Sequence, residues 1–282
     1  MTERGSIIYL EGVVVDYDGF KALNNLNFIV DYNELRVVIG PNGAGKTTLL
    51  DVISGKTKPA KGRVIFGKDT DLIGLNEHQI TTLGIGRKFQ APSIYANLTV
   101  WENLDLSLRR PSKGVMATLF GTSRKEERER ISEALRMIKL ADKEGQRAGS
   151  LSHGEKQWLE IGMVILQDPA LLLVDEPVAG MTDKETEQTG MLLQTLAEQH
   201  AIIVIEHDME FVRQIARTVT VLHEGTVICE GPVEQVQADP RVVEIYLGRQ
   251  KVAHAGLRET RTSRRARGGR VRKIETERIA DG

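Results

Sequence analysis

A chain of 282 residues, 40% hydrophobic and 27% charged, is long enough to bury a sizeable core in one large domain or two modest ones. Its net charge of −1 hides an asymmetry, because residues 251–282 carry ten Lys/Arg against four Asp/Glu, which leaves −7 for residues 1–250. A mildly acidic body argues against a nucleic-acid-binding core, and the single cysteine, Cys229, excludes an internal disulfide and a cysteine metal cluster.

Residues 7–15 and 26–31 read as strands of an N-terminal antiparallel layer. Arg36–Ile39 is a short apolar strand that runs into a Gly-rich loop and then a helix over Lys46–Ile53. Gly62–Gly67 is another bounded strand. From about 91 to 167 the pattern turns helical, with the charged stretch Arg124–Arg130 and a helix from about 153 that stops before Asp168-Pro169. Apolar runs at Leu171–Asp175, Ile202–Glu206 and Val219–Leu222 follow at helical spacing, which predicts parallel strands joined by crossovers. Helical turns are expected near Tyr246-Leu247-Gly248, and beyond Lys251 a basic, disordered tail. The expected layout is therefore a domain over 1–250 with a helical subdomain at about 91–167, then the tail over 251–282. No stretch is long and apolar enough for a secretory signal or a membrane span, so a role at a membrane would need another protein to hold the chain there.

Gly40-Pro41-Asn42-Gly43-Ala44-Gly45-Lys46-Thr47 fits G-x-x-x-x-G-K-[ST], with a strand before it and the helix over Lys46–Ile53 after it, and Thr48 is counted with the loop as phosphate-binding. Glycines let backbone N–H groups turn inward around phosphate oxygens, and the helix N-terminus adds its positive dipole end. Lys46 would reach the β- and γ-phosphates, and the Thr47 hydroxyl would ligate Mg²⁺. Leu171-Leu-Leu-Val-Asp175-Glu176 is a buried strand ending in two carboxylates. Asp175 would hold Mg²⁺ through water, and Glu176 would polarise the attacking water. An acid pair at a strand end is elsewhere often a helix cap or surface charge, but beside a phosphate loop the catalytic reading gains weight.

Leu151-Ser152-His153-Gly154-Glu155-Lys156-Gln157 precedes Asp175 by some twenty residues and resembles the LSGGQ signature of the ATP-binding-cassette (ABC) ATPases. The resemblance covers nearly all of residues 6–248, with the motifs in family order. It implies an α/β cassette: a mixed, largely parallel core sheet, an N-terminal antiparallel β layer and a helical subdomain. It places Tyr17 where an aromatic stacks on adenine, Gln90 where a glutamine touches Mg²⁺ and the attacking water, and His207 where a histidine contacts the γ-phosphate. It also implies that Ser152 and Gly154 bind the γ-phosphate of ATP held by an opposite subunit, so that function requires a dimer. Ser152…Glu155 has a simpler reading as an S-x-x-E capping box, and both can hold. The departures are His153 in place of glycine and Glu155 in place of glutamine. The His153 ring either weakens one site or points away from the phosphate.

The helical subdomain with its segment 91–125 resembles the ATPase subunits of branched-chain amino-acid and urea importers, and stretches such as Gly86-Arg-Lys-Phe-Gln90, Lys156-Gln-Trp-Leu-Glu-Ile-Gly162 and Pro177-Val-Ala-Gly-Met-Thr182 look most like the urea group. Trp158 stands where most relatives carry arginine, and its default reading is a core aromatic. The resemblance implies ATP hydrolysis powering uptake of a small solute, with urea first and branched-chain amino acids as the alternative. It further implies a second, different cassette chain, transmembrane permeases, an extracytoplasmic solute-binding protein and a peripheral place on the cytoplasmic face of the membrane. A soluble, non-transport ABC ATPase is the competing class, but such proteins commonly carry two cassettes or a coiled-coil insertion, and this chain has one cassette and no heptad run.

Overall fold

The structure is a computed structural model that describes residues 5–88, 93–109 and 123–245. The chain falls into two compact units, residues 1–236 and 237–282. In the described part of the second, Arg241 Nε and Nη2 both donate to the Asp239 carboxylate.

The first unit opens with a long antiparallel pair, β1 (Ser6–Tyr17) and β2 (Phe20–Asp31), joined by a tight turn. β4 (Lys61–Phe66) and β5 (Thr70–Asp71) complete a four-stranded antiparallel sheet in the order β2-β1-β4-β5. The second sheet has six strands. They are β3 (Leu35–Ile39), β6 (Ile85–Lys88), β7 (Leu171–Asp175), β8 (Ala201–Ile205), β9 (Thr218–His223) and β10 (Thr226–Gly231), in the order β10-β9-β3-β8-β7-β6. All its neighbours pair in parallel except β10, which returns antiparallel to β9. Every residue of β3, β7 and β8 is buried, as expected of central parallel strands covered on both faces. The expected fold class, an α/β cassette with an antiparallel layer and a mixed, largely parallel core sheet, is what the chain forms.

The helices are α1 (Lys46–Ile53), α2 (Glu77–Leu83), α3 (Val100–Ser107), α4 (Ser123–Met137), α5 (His153–Ile165), α6 (Asp183–Leu196), α7 (Met209–Ile215) and α8 (Val233–Ala238). α3 and α4 both pack on α5. Within the stretch expected to be helical, residues 93–99 are not, and Thr99 starts α3 by accepting from Glu102 N at 3.1 Å. Among the described residues, side chains cap the N-termini of five helices: Asn76 on α2, Thr99 on α3, Ser152 on α5, Thr182 on α6 and Asp208 on α7. Helix α1 has no side-chain cap. Its N-cap is Gly45, in a left-handed conformation and without a side chain that could cap the helix.

Candidate active site

The phosphate loop joins β3, in the middle of the parallel sheet, to α1. Its rear is walled by backbone. A Cβ on Gly45, at φ +99°, would stand 2.4 Å from Ala22 O, and one on Gly225, at φ +73°, would stand 2.7 Å from the same oxygen. Both positions require glycine for conformation and for space. The β9–β10 turn closes on the loop as Gly225 N donates to Ala44 O and Asn24 N donates to Gly225 O, each at 3.0 Å. Ala44 N donates to Pro41 O at 3.1 Å, so the loop is curled before anything binds. Lys46 Nζ donates to Gly40 O at 2.7 Å and Pro41 O at 3.1 Å, folding back over the curl. Asn42, Gly43 and Thr47 are exposed, and Lys46 and Thr48 are half-buried. Tyr17, on the last position of β1, is 47% exposed, with its hydroxyl 3.3 Å from Thr57 Oγ1.

The parallel register aligns the strand ends beside this loop, since Val38 pairs with Ile205 and Ile205 with Asp175. Asp175 is thus the last residue of β7, with Glu176 just beyond it and Glu206-His207 just beyond β8. Glu176 adopts φ +45°, a left-handed conformation that L-residues with a Cβ avoid. Its N–H donates to Ile205 O at 3.0 Å, which fixes the turn between the two strands. His207 Nδ1 lies 3.5 Å from Glu176 Oε1, and the His207 side chain is 68% exposed. Glu206 is buried, accepting from His207 N at 2.9 Å and from Val178 N at 3.4 Å. Gln90, expected in this site, lies outside the described residues, as does the basic tail.

The signature segment behaves as the capping reading expects. Glu155 N donates to Ser152 Oγ at 3.2 Å while Ser152 N donates to Glu155 Oε2 at 3.0 Å. The His153 ring is turned toward the loop after β7, with Nε2 3.0 Å from Ala179 O. Trp158 is the core aromatic expected by default. It is buried and donates its indole N–H to Thr189 Oγ1 of α6 at 2.9 Å.

The family model described as ABC transporter matches residues 23–179, and one described as branched-chain amino acid ATP-binding cassette transporter matches residues 226–252. The high-affinity branched-chain amino acid transport ATP-binding protein LivG of Escherichia coli is 33% identical over 86% of this chain and 98% of its own length. A probable LivG of Archaeoglobus fulgidus is 34% identical over 83% and 92%. The chain belongs to the ABC transporter ATPases. Among solved structures, the ADP conformation of an ABC transporter's ATP-binding cassette superposes with a TM-score of 0.76 at 30% identity, covering 86% of this chain and 99% of that one. A dimeric cassette in a post-hydrolysis state, bound to ADP and phosphate, gives 0.68 at 27% identity over 80% and 98%. This cassette is an ATP hydrolase, close to the branched-chain amino acid importer ATPases.

Three groups that motif matching does not single out sit behind the cassette's strand-end carboxylates. Successive residues of β6 face opposite sides of the sheet. Arg87 Nη1 meets Asp51 Oδ1 of α1 at 2.7 Å and donates to Ser54 Oγ at 2.7 Å. Lys88 is fully buried, with Nζ 3.8 Å from Glu160 Oε2 of α5. Glu160 Oε1 accepts from Ser93 N at 3.1 Å. The available signal was two adjacent cations ending an otherwise apolar strand, Ile85-Gly-Arg-Lys.

Burial, then the adjacent Glu176 charge, push the Asp175 carboxyl above its usual range, and Arg87 and Lys88 only partly offset this. A folded-state pKa above the unfolded one means that stability falls as pH rises from the unfolded value to the folded value, the loss being complete above it. Asp175→Asn is therefore expected to raise the melting temperature of the nucleotide-free cassette at neutral pH by roughly 2–4 °C, the shift that about 1 kcal/mol gives at this size. The same variant is expected to gain less in melting temperature than the wild type when Mg²⁺ and ATP are added. Calorimetry with and without Mg·ATP reads both, and a lowered melting temperature in the nucleotide-free variant would contradict the electrostatic account.

Proposed function

We propose that the chain is one of two cassette chains powering uptake of branched-chain or similarly apolar amino acids, hydrolysing Mg·ATP at sites shared between the two. The observation that carries the nucleotide part is the pre-curled glycine loop leading from the central strand β3 into the N-terminus of α1, capped only by Gly45, because such a helix start favours a phosphate group. Gly40 to Thr48 would cradle the phosphates, Lys46 leaving the Gly40 and Pro41 carbonyls to meet them. Tyr17 would offer its exposed ring to adenine. The exposed Thr47 hydroxyl and the Asp175 carboxylate are hard oxygen donors that suit Mg²⁺. Among the described residues no group of three or more His, Cys, Asp and Glu converges as a metal site, so such an ion would be shared with phosphate oxygens and with Gln90. When bound, it would neutralise charge on the phosphates. Glu176 would take the proton of the attacking water, oriented by His207, which also faces the γ-phosphate. Ser152 and Gly154 would serve the partner's ATP.

The cargo assignment draws on the relatives, since the transported solute does not touch this subunit. Urea stood first in the sequence reading, but the match over 226–252 and the LivG relatives support the alternative. No helix of the described residues is long and apolar enough to cross a membrane, so permeases would hold the chain there. The chain purified alone is expected to hydrolyse ATP slowly. The rate should rise in vesicles holding permeases and a second cassette chain, and rise again with binding protein loaded with leucine, isoleucine or valine. Stimulation by urea-loaded binding protein instead would replace the cargo. A lone homodimer matching the full complex, and assembling with permeases unaided, would overturn the two-chain reading. Failure to co-purify with membranes would favour a soluble ABC ATPase.

A further inference from the structure

Three consecutive signature residues all end on one segment of their own chain, residues 179–185. His153 Nε2 lies 3.0 Å from Ala179 O, and its ring atoms lie 3.7 Å from where a Cβ of Gly180 would stand. Ser152 Oγ donates to Glu185 Oε1 at 3.1 Å. A Cβ on Gly154 would stand 2.5 Å from that same oxygen, so the carboxylate fills the space that glycine leaves. The other oxygen, Glu185 Oε2, accepts from Thr182 N at 3.0 Å and Thr182 Oγ1 at 2.9 Å. These bonds hold the Glu185 carboxyl below its ordinary range, with Thr182 the main cause and Ser152 and His153 helping. At the other end of the segment, Ala179 N donates to Glu176 O at 3.4 Å. The signature loop and the residue after the Asp175 strand are therefore joined by two short links. A glycine at position 153 could make none of the His153 contacts.

We propose that His153 and Glu185 are positioning residues that tie the signature loop to the segment following Glu176, so that filling of the partner's site sets the geometry of this chain's own. The inference rests on the composite-site reading above. A serine hydroxyl carries one proton and can donate to one acceptor at a time. When Ser152 turns to a γ-phosphate brought by the partner's loop, Glu185 loses that hydrogen bond and faces a like charge. The carboxylate is displaced, taking with it Thr182 and the start of α6. His153, at the first position of α5, keeps Ala179 in step with the signature helix. The displacement reaches Glu176 through the two residues, Pro177 and Val178, that separate it from Ala179. Hydrolysis in one site then depends on occupancy of the other.

The test is ATP hydrolysis against ATP concentration in the intact complex, purified through a tag on this chain. His153→Gly is expected to lower kcat about tenfold, with KM within about twofold, and to bring the Hill coefficient down toward one. His153→Gln, whose amide can donate to Ala179 O, should restore most of the rate. Glu185→Gln keeps an acceptor for Thr182 but no charge for the phosphate to repel, and should lower the Hill coefficient while leaving the melting temperature within about 2 °C of wild type. Ser152→Ala is the control for the underlying reading. If Ser152→Ala is nearly inactive while His153→Gly and Glu185→Gln both keep wild-type kcat and cooperativity, the link is refuted and the composite site stands. If Ser152→Ala turns over at the wild-type rate, the composite-site reading itself falls, and the link with it.

Discussion

Glu176→Gln is expected to slow ATP hydrolysis by on the order of a thousandfold while leaving nucleotide affinity within a few-fold of wild type. The carboxylate sits beyond the phosphate loop's own hydrogen bonds, held by the backbone bond from Glu176 N to Ile205 O and facing His207. An amide of the same shape keeps that placement but cannot take a proton from water. The variant should accumulate as an ATP-bound dimer, visible as a shift in size on adding ATP and stable for many wild-type turnover times. Lys46→Ala provides the contrast. It removes the cation that now folds back on Gly40 and Pro41, and should weaken nucleotide binding itself by about tenfold or more. Wild-type turnover by Glu176→Gln would rule out the base assignment, whatever happens at Lys46.

The largest loss of stability is expected from Lys88→Ala. Its ammonium is fully buried, and burial pushes it below the ordinary lysine range although Glu160, Asp175 and Glu206 all favour its charge. Removing it leaves the Glu160 carboxyl, itself raised above its usual range by burial, without its counter-charge in the core. Breaking a buried pair in this way costs about 3–5 kcal/mol, or roughly 10 °C in melting temperature for a chain of this length. Replacing both partners, as Lys88→Met with Glu160→Leu, should recover most of that loss, because apolar groups of similar volume carry no uncompensated charge. If the double variant melts as low as the single one, the loss belongs to the lysine stem's packing and not to the pair.

The parts of the cassette that were legible in sequence are those whose cause is local. The phosphate loop needs its glycines within eight residues, and α1 runs over the expected Lys46–Ile53. β7 is the expected Leu171–Asp175, and the other central strands differ from expectation by about one residue at their ends, because a parallel strand buried on both faces reads as an unbroken apolar run. The capping box at Ser152 was read, and the same rule applied to Asn76…Gln79, Thr99…Glu102 and Thr182…Glu185 marks the starts of α2, α3 and α6. What stayed hidden is long-range. Lys88 meets Glu160 across 72 positions of sequence and His153 meets Ala179 across 26, and no periodicity within either segment encodes such a meeting. The orientation of the His153 ring, left open by the sequence, follows from the same kind of contact.

The backbone of Glu176, at φ +45°, has a consequence for how this protein could change under selection. Glycine there would relieve about 1–2 kcal/mol of steric strain, before the cost of its greater freedom in the unfolded chain. At Glu176 a direct gain in thermal resistance would coincide with the loss of the proposed general base. A library screened only for survival at high temperature would be drawn to that substitution, and would return soluble, well-folded chains that hold ATP and do not spend it. Screening for turnover in parallel is what would keep the strained residue in place.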